Sequence, residues 1–542
     1  MTSHTAILSA QSINTRILDT EVKISGTFGE FRGNHFHAGI DYKTEKKEGI
    51  PVFSADDGYV YRILVSRNGY GKALYINHKN GITTVYAHLR DFEGAIADTV
   101  WGIQKKQKNF ELDYRPPPGK IKIKKGQVIG FSGNTGSSEG PHLHFETRYT
   151  DSEKPFDPSS LGFTFEDLTP PDLNTLWIYD LPSDSIVYPL PEPRGFDGIT
   201  KDTIYISGRF LVGLNVHDLA GTEKNRLGIK TAKLFLDDRL KVSYAIQPFE
   251  FQQSKEIIGV IDQGLRQKGK QSFLLHASNS LSIPFFENKF SNGIIELNDN
   301  LHSIMTIELE DIMGNKSIHT FHLMSRPILS PKQSIDSSCV VIKPGSDTTF
   351  QTGIFSVEIG PKSLLGISCI QFEQSEKQEG LSPIFLVGSP AIPIISPIKL
   401  KFLLDSTAIQ NWDKIVVTRL EANNTYTSLG GKLGNGFISV ESGTLGKFQL
   451  QLDSEPPECK KPNYFLDEFT EKKALALELE DNLSGVGEFR CKINGKWVYS
   501  EFYPSRKTLI IYNIDKYKGQ TLEVKATDKR NNTSRNRFKI EP

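Results

Sequence analysis

Three short segments gather the side chains best suited to chemistry: His35-Phe-His37-Ala-Gly-Ile-Asp41, Val85-Tyr-Ala-His88-Leu89 and Gly140-Pro-His142-Leu-His144-Phe-Glu146. Along a strand, side chains two or four positions apart share one face. His37 and Asp41 are therefore expected to point together, and so are His142 and His144. Two strands that present imidazoles and one carboxylate to a common groove suit a borderline cation such as zinc. Three protein ligands with an open fourth position make the catalytic form of such a centre. Position along the chain also sets this region apart. Seven of the twelve histidines fall at or before His144, and none follows His322. His4, His78, His217, His276, His302, His319 and His322 read as structural or surface residues.

The elements that must position these groups are mostly strands. Alternating segments such as Ala232-Lys-Leu-Phe-Leu-Asp and Phe448-Gln-Leu-Gln-Leu-Asp end in Gly, Asn or Asp, the pattern of strand and turn. Residues 101–110 are the best candidate helix in the first unit. Pro155/Pro158 and Pro170/Pro171 close that unit near residue 165, and Pro327/Pro331 and Pro456/Pro457 mark two later joints. The expected organisation is a first domain at 1–165, a second at 166–330, a β-rich third at 331–455 and a last at 456–542. The fold class is mainly β, an N-terminal antiparallel sheet followed by about three β-sandwich-like domains. Residues 295–323 and 516–540 share a rhythm of strand, Asp, tight Gly/Asn turn and returning strand. That repeat is the ending of many immunoglobulin-like sandwiches, so the second and last domains are expected to be of that class.

Composition narrows the function classes. The chain has 542 residues, 64 Lys+Arg against 64 Asp+Glu, and a formal charge of +0. A dedicated nucleic-acid binder would normally be basic, so no nucleic-acid partner is expected. The most apolar run, 383–398, is broken by Pro390, Pro393 and Pro397, so no transmembrane segment is expected. Ala6-Ile7-Leu8-Ser9-Ala10-Gln11 is like the tail of a secretory signal. It lacks the basic start and the apolar core of roughly 7–15 residues, so the signal peptide reads as incomplete or absent.

The three segments together resemble the lysostaphin/LytM-type zinc metallopeptidases. That family's pattern is His-x-x-x-Asp, then Tyr-x-His-Leu, then His-x-His after a Gly-rich loop. Here these are His37-Ala-Gly-Ile-Asp41, Tyr86-Ala-His88-Leu89 and residues 133–144 with His142-Leu-His144. Residues 51–58, 69–78 and 125–130 resemble the family's connecting strands and turns, so the likeness covers about residues 23–160. It implies a zinc peptidase fold in the first domain, with His37, Asp41 and His144 as Zn2+ ligands and His88 and His142 as the catalytic pair. It implies a zinc endopeptidase that cuts peptide cross-links of bacterial peptidoglycan, with stem peptides as substrate and an extracytoplasmic location, periplasmic or secreted. Alternatives are a regulatory protein that activates other wall hydrolases, and a peptidoglycan carboxypeptidase. The tail would position the enzyme on the wall or on cell-envelope protein partners.

Other residues compete for roles. His35 has the parity of a ligand, but the family spacing favours His37. Glu146 is placed to hydrogen-bond a ligand, and Arg32 to meet a substrate carboxylate. Gly136-Ser-Ser138-Glu-Gly140 matches the serine-hydrolase elbow in form only, because Pro141 and an alternating strand follow it instead of a helix. Residues 93–118 look like an insertion; between 101 and 130 there are eight Lys/Arg against Glu111 and Asp113, a candidate basic flap beside the groove. Cys339/Cys369 and Cys459/Cys491 are each spaced to bridge one module in an oxidising compartment, or else to stay as buried thiols.

Overall fold

A computed structural model describes residues 15–181, 186–206, 208–220, 225–276, 281–287, 293–297, 302–325, 338–376, 380–404 and 411–541. His4, the signal-like stretch at 6–11 and the joint at Pro327/Pro331 lie outside the described residues.

The N-terminal region is built on one antiparallel sheet. Its main path runs Ile24–Gly26, Ile40–Lys43, His142–Tyr149, Ile82–Ala87, Lys72–His78, Gly58–Val65 and Leu112–Tyr114. Lys72–His78 and Ile82–Ala87 are buried at every position, because both of their faces are covered. Leu143 and Phe145 turn to one face and join Ile40, Leu74, Ile76 and Tyr86 in the main core. Their neighbours His142, His144, Glu146 and Arg148 take the opposite face, as the two-residue period requires. The helix is Gly94–Gln107, longer at its start than the sequence suggested. Ile96 and Val100, one turn apart, bury its apolar stripe in the same core, and Lys108 ends it with a left-handed φ of 51°.

One local expectation fails. The strand expected across 35–41 is broken: His35–Phe36 pairs with Phe31–Arg32 in a short hairpin, and the chain resumes as Ile40–Lys43. The break lets residues 28–38 leave the sheet and enter the next region. There Phe28, Phe36 and Ala38 join a core that runs without interruption from Leu173 to Leu450. Gly39 sits at the return, where a Cβ would lie 2.1 Å from the Phe145 carbonyl oxygen. No other residue type fits there.

The tail is almost entirely antiparallel strands. After the N-terminal region, one sheet is organised around Asp172–Leu181 and Arg209–Ala220, and another around Lys316–Ser325, His302–Glu310 and Thr231–Leu236. Val187–Tyr188 pairs in parallel with Ile367–Gln374, which ties the chain before 330 to the sheet after it. The last module has two sheets, centred on Lys472–Glu480 and on Val486–Ile493 with Thr521–Asp528, closed over one core. Cys339 and Cys369 form a disulfide, whereas Cys459 and Cys491 are free thiols buried in the last core. Of the two bridges the spacing allows, only the first is made.

Candidate metal centre

Sheet register creates the centre. His144 pairs with Asp41 on one side and with Ala87 on the other, so residues about a hundred positions apart become neighbours. His37 Nε2 lies 3.1 Å from Asp41 Oδ1 and 3.0 Å from His144 Nδ1. His144 Nδ1 is 2.8 Å from the same Asp41 oxygen. Each imidazole has its other nitrogen engaged elsewhere. His37 Nδ1 donates to the Thr27 carbonyl at 2.7 Å, and His144 Nε2 donates to Glu146 Oε1 at 2.8 Å. With those protons assigned, the two inward nitrogens carry lone pairs. Two lone pairs and a carboxylate oxygen would repel at these distances unless a proton or a metal cation sits between them. The donor set therefore fits a metal, and its two nitrogens and one oxygen suit zinc.

The residues behind the ligands are fixed in turn. Glu146 is fully buried and accepts from Arg148 Nε at 2.6 Å and Tyr70 OH at 2.5 Å. Burial alone would raise the Glu146 carboxyl, but the Arg148 guanidinium and the His144 hydrogen bond pull it down to about 2. A permanent carboxylate thus holds His144 in the tautomer that frees Nδ1. Asp41 Oδ2 accepts from Arg32 Nη2 at 2.8 Å. Arg32 is accordingly committed to a ligand and not offered to a substrate carboxylate.

His88 and His142 face each other across the open side, with ring centroids 4.7 Å apart. Both are less buried than the three ligands. His88 lies just past the strand Ile82–Ala87, with a left-handed φ of 59° that is uncommon outside glycine. Its Nδ1 donates to the Thr135 carbonyl at 2.9 Å, and His142 Nδ1 donates to the Gly140 carbonyl at 2.8 Å. In both rings Nε2 is left for the cleft. Burial, helped by the charges of His142 and His144, pulls His88 down to about 3, so it is neutral at neutral pH. The Gly-rich loop makes this arrangement possible by close approach. A Cβ on Gly71 would come within 2.5 Å of Thr135 and Gly136, so the turn at 69–71 and the loop at 133–140 can touch only as glycines.

The structure thus brings together all five residues singled out for the site. His35 stays outside, exposed in the short strand His35–Phe36 and bonded to Asn34 Oδ1. His78 is a buried structural residue held by the Asp57 carbonyl and Thr84 Oγ1. The basic segment does not border the cleft. Leu112–Tyr114 is the far edge of the sheet, four strands and roughly 19 Å from His142–Tyr149. There Asp113 and Glu111 pair with Arg62 and Arg67. Sequence reasoning missed Tyr70 and Arg148. Arg148 was within reach, because it continues the i, i+2 series from His144 and Glu146 along one strand face. Tyr70 had no such signal.

Residues 35–102 and 119–158 match the family model described as Peptidase family M23, and residues 340–453 match the Zu5-like domain. The N-terminal domain is accordingly a metallopeptidase domain of the lysostaphin/LytM type, and the gap in its match falls within the expected insertion. "DD-carboxypeptidase/endopeptidase Mpg" of Neisseria meningitidis serogroup B (strain ATCC 13091 / M2091) is 37% identical over 136 residues, 25% of this chain and 25% of that protein. "Glycyl-glycine endopeptidase ALE-1" of Staphylococcus capitis is 30% identical over 121 residues, 22% of this chain and 26% of that protein. Among solved structures, the catalytic domain of lysostaphin from Staphylococcus simulans is 24% identical and covers 26% of this chain and 92% of its own, with a TM-score of 0.20. The chain spans about a quarter of the length of the curated relatives it matches.

Proposed function

We propose that this chain is a zinc-dependent endopeptidase that hydrolyses the peptide cross-links of bacterial peptidoglycan. The observation that carries this reading is the convergence of His37 Nε2, His144 Nδ1 and Asp41 Oδ1 beside a second, cleft-facing pair of imidazoles. His37, Asp41 and His144 would hold the ion. Bound there, zinc supplies Lewis acidity that polarises the scissile carbonyl and lowers the pKa of a water to about 7.

The chain's own residues supply the proton traffic. His88 and His142 both tether Nδ1–H to a backbone carbonyl, so each offers Nε2 to the reacting atoms. One ring of the pair accepts the proton of the attacking water and returns it to the leaving amine. The other, when protonated, stabilises the oxyanion that develops on the scissile carbonyl. Arg32 holds the second Asp41 oxygen, which leaves Oδ1 directed at the ligand site.

The regions at 166–330, 331–455 and 456–542 act as three tail modules that position the enzyme on the wall or on cell-envelope proteins. We read the first and last as immunoglobulin-like sandwiches. An extracytoplasmic location, periplasmic or secreted, is supported by the Cys339–Cys369 disulfide, which persists in oxidising compartments. Carboxypeptidase action is the second reading, favoured by the double name of the Neisseria relative. A digest of purified peptidoglycan by the zinc-loaded full chain, with products identified by mass, separates these outcomes. Loss of cross-linked dimers supports the endopeptidase, release of terminal residues alone supports the carboxypeptidase, and products identical to those of His142→Ala would overturn both.

A further inference from the structure

Outside the histidine centre, two tail modules carry the same constellation of carboxylates. Asp167, Asp218 and Asp311 bring one oxygen each to within 4.8 Å of one another, and so do Asp453, Asp481 and Asp528. These are not solvated surface acids. Asp218 is 1%, Asp311 0%, Asp453 0% and Asp528 3% exposed.

The two clusters are assembled from matching pieces of sequence. The first Asp opens a linker of the form Asp-x-x-Pro-Pro, at Asp167 to Pro171 and at Asp453 to Pro457. The second lies at the end of a strand, near the close of Arg209–Ala220 or just after Lys472–Glu480. The third starts an Asp-x-x-x-Asn turn, Asp311 to Asn315 and Asp528 to Asn532. The hydrogen bonds of the turn Asn correspond. Asn315 N donates to Asp311 Oδ1 at 3.0 Å, and Asn532 N to Asp528 Oδ1 at 2.8 Å. Each Asn Nδ2 donates to Oδ2 of its Asp, at 2.8 and 2.7 Å. The same Nδ2 reaches the carbonyl of the linker Asp, at 3.1 Å for Asp167 and 2.8 Å for Asp453.

What these bonds leave over is informative. Asp453 Oδ1 has no hydrogen-bond partner although the residue is wholly buried. Ser484, 5% exposed, donates its backbone N–H to Asp453 Oδ2 at 3.1 Å, yet its own Oγ is also without a partner. Asp481 Oδ1 and Asp167 Oδ2 are orphaned in the same way. Buried oxygens left unpaired are costly, and each cluster leaves at least one. Nor is the charge answered. Among the described residues no Lys or Arg forms an ion pair with Asp167, Asp218 or Asp311. Beside the second cluster, the charge of buried Arg530 acts on Asp453 and Asp528, but it forms no ion pair with them and turns its Nη2 to the Gly431 carbonyl at 2.9 Å. Three crowded carboxylates cannot all ionise unaided. Either a shared proton or a bound cation must close each site.

We propose that each cluster is a binding site for one calcium ion, which fastens the linker to the sandwich that follows it. The donors are all oxygen, which suits a hard cation and not the borderline metal of the histidine centre. The recurrence of the three carboxylates, the Asn bonds and an orphaned oxygen on the linker Asp is what a ligand requirement retained twice would produce. Calcium here fixes the angle at which the second and last modules leave their linkers, and both modules contact the peptidase domain.

The test is a calcium titration of the zinc-loaded full chain, after calcium-selective chelation, by calorimetry up to about 1 mM, the range of extracellular sites. Two ions bound per chain and a rise in melting temperature are expected. Asp311→Asn should remove one of the two, Asp528→Asn the other, and both variants should keep their zinc and their far-ultraviolet circular dichroism. Stoichiometry unchanged in both variants would overturn the proposal. If either variant misfolds, the native chain decides alone. Fewer than one calcium per chain, with a melting temperature insensitive to calcium but raised by mild acid, would show that protons close the sites and would overturn it too.

Discussion

The peptidase domain is held on two sides, one chiefly by aromatic rings and the other by rings and buried ions together. On one side Phe28, Phe31 and Phe36 enter the neighbouring core and meet Phe249, Phe273 and Phe285 at centroid distances of 5.5, 4.9 and 4.8 Å. On the other side the last module adds buried ions to aromatic contacts such as Phe131–Phe469 at 5.0 Å and Trp101–Tyr499 at 5.7 Å. Lys72 Nζ donates to Glu501 Oε1 at 2.7 Å, Arg90 Nη2 to Asp467 Oδ1 at 2.6 Å, and the Arg90 guanidinium lies 4.3 Å from the centre of the Tyr512 ring. Arg506 Nη2 adds a bond to the Asn134 carbonyl at 2.7 Å. Each side leads to a different half of the active site. The aromatic plug ends at Phe36, whose N–H donates to Ser254 Oγ at 2.7 Å, and the next residue is the proposed ligand His37. The charged grip ends at the Gly-rich loop, where Lys72 N donates to Thr135 Oγ1 at 2.9 Å and the Thr135 carbonyl holds His88. Burial of apolar rings tolerates imperfect partners; buried ions do not. The plug should therefore govern metal retention, and the grip should govern the catalytic pair.

The largest expected effect tests that division at its ends. His37→Ala and His142→Ala should each lower turnover by about 10²–10⁴-fold. Zinc content by elemental analysis should fall only in His37→Ala; loss of zinc from both would erase the distinction. Next comes the plug itself. Phe36→Ala should cost about 3–5 kcal/mol of stability and weaken zinc retention, as measured by denaturant melts and competition with a chelator. A variant with normal zinc retention would show that the plug is only a scaffold.

The grip should behave differently on substitution. Lys72→Met removes the ion pair of buried Glu501, leaving it the Tyr499 and Tyr503 hydroxyls and the more distant Arg90, and should cost about 3 kcal/mol, whereas Lys72→Met with Glu501→Leu should recover part of it. The single variant should lose turnover while keeping its zinc. Equal melting curves for single and double variants would contradict the ionic account. The smallest effect is with pH. Burial alone would raise Glu501, but Lys72 and Arg90 hold it below the ordinary glutamate value. A depressed carboxyl contributes stability above its unfolded pKa of about 4.3 and loses it as pH falls through the folded value. Melts between pH 5 and pH 3 should therefore show progressive loss of the grip in the native chain, and a flatter profile in the double variant.

Much of the candidate site was legible because strands impose a period of two. His142, His144, Glu146 and Arg148 share a face for that reason alone, and Leu143 and Phe145 take the other. The stretch 35–41 was misread because spacing cannot reveal that the Phe31–Phe36 hairpin leaves the sheet to bury its rings in another region. The basic segment was misplaced for a similar reason, since charge density says nothing about sheet order. The repeat at 295–323 and 516–540 was visible as rhythm, but not as two sets of converging carboxylates. Each set needs a linker Asp from far earlier in the chain, Asp167 for Asp311 and Asp453 for Asp528.

The sequence by itself determined the donor types, their local spacing and the mainly β character, because these follow from side-chain chemistry and strand period. Tertiary structure alone decided which distant groups meet. The register of His142–Tyr149 against Ile40–Lys43 sets His144 beside Asp41, and the contact of two glycine turns sets Thr135 behind His88. Tyr70 reaches Glu146, and Arg32 reaches Asp41, by the same long-range packing. Local sequence has no means of encoding such meetings, since they depend on pairing and burial among segments far apart in the chain.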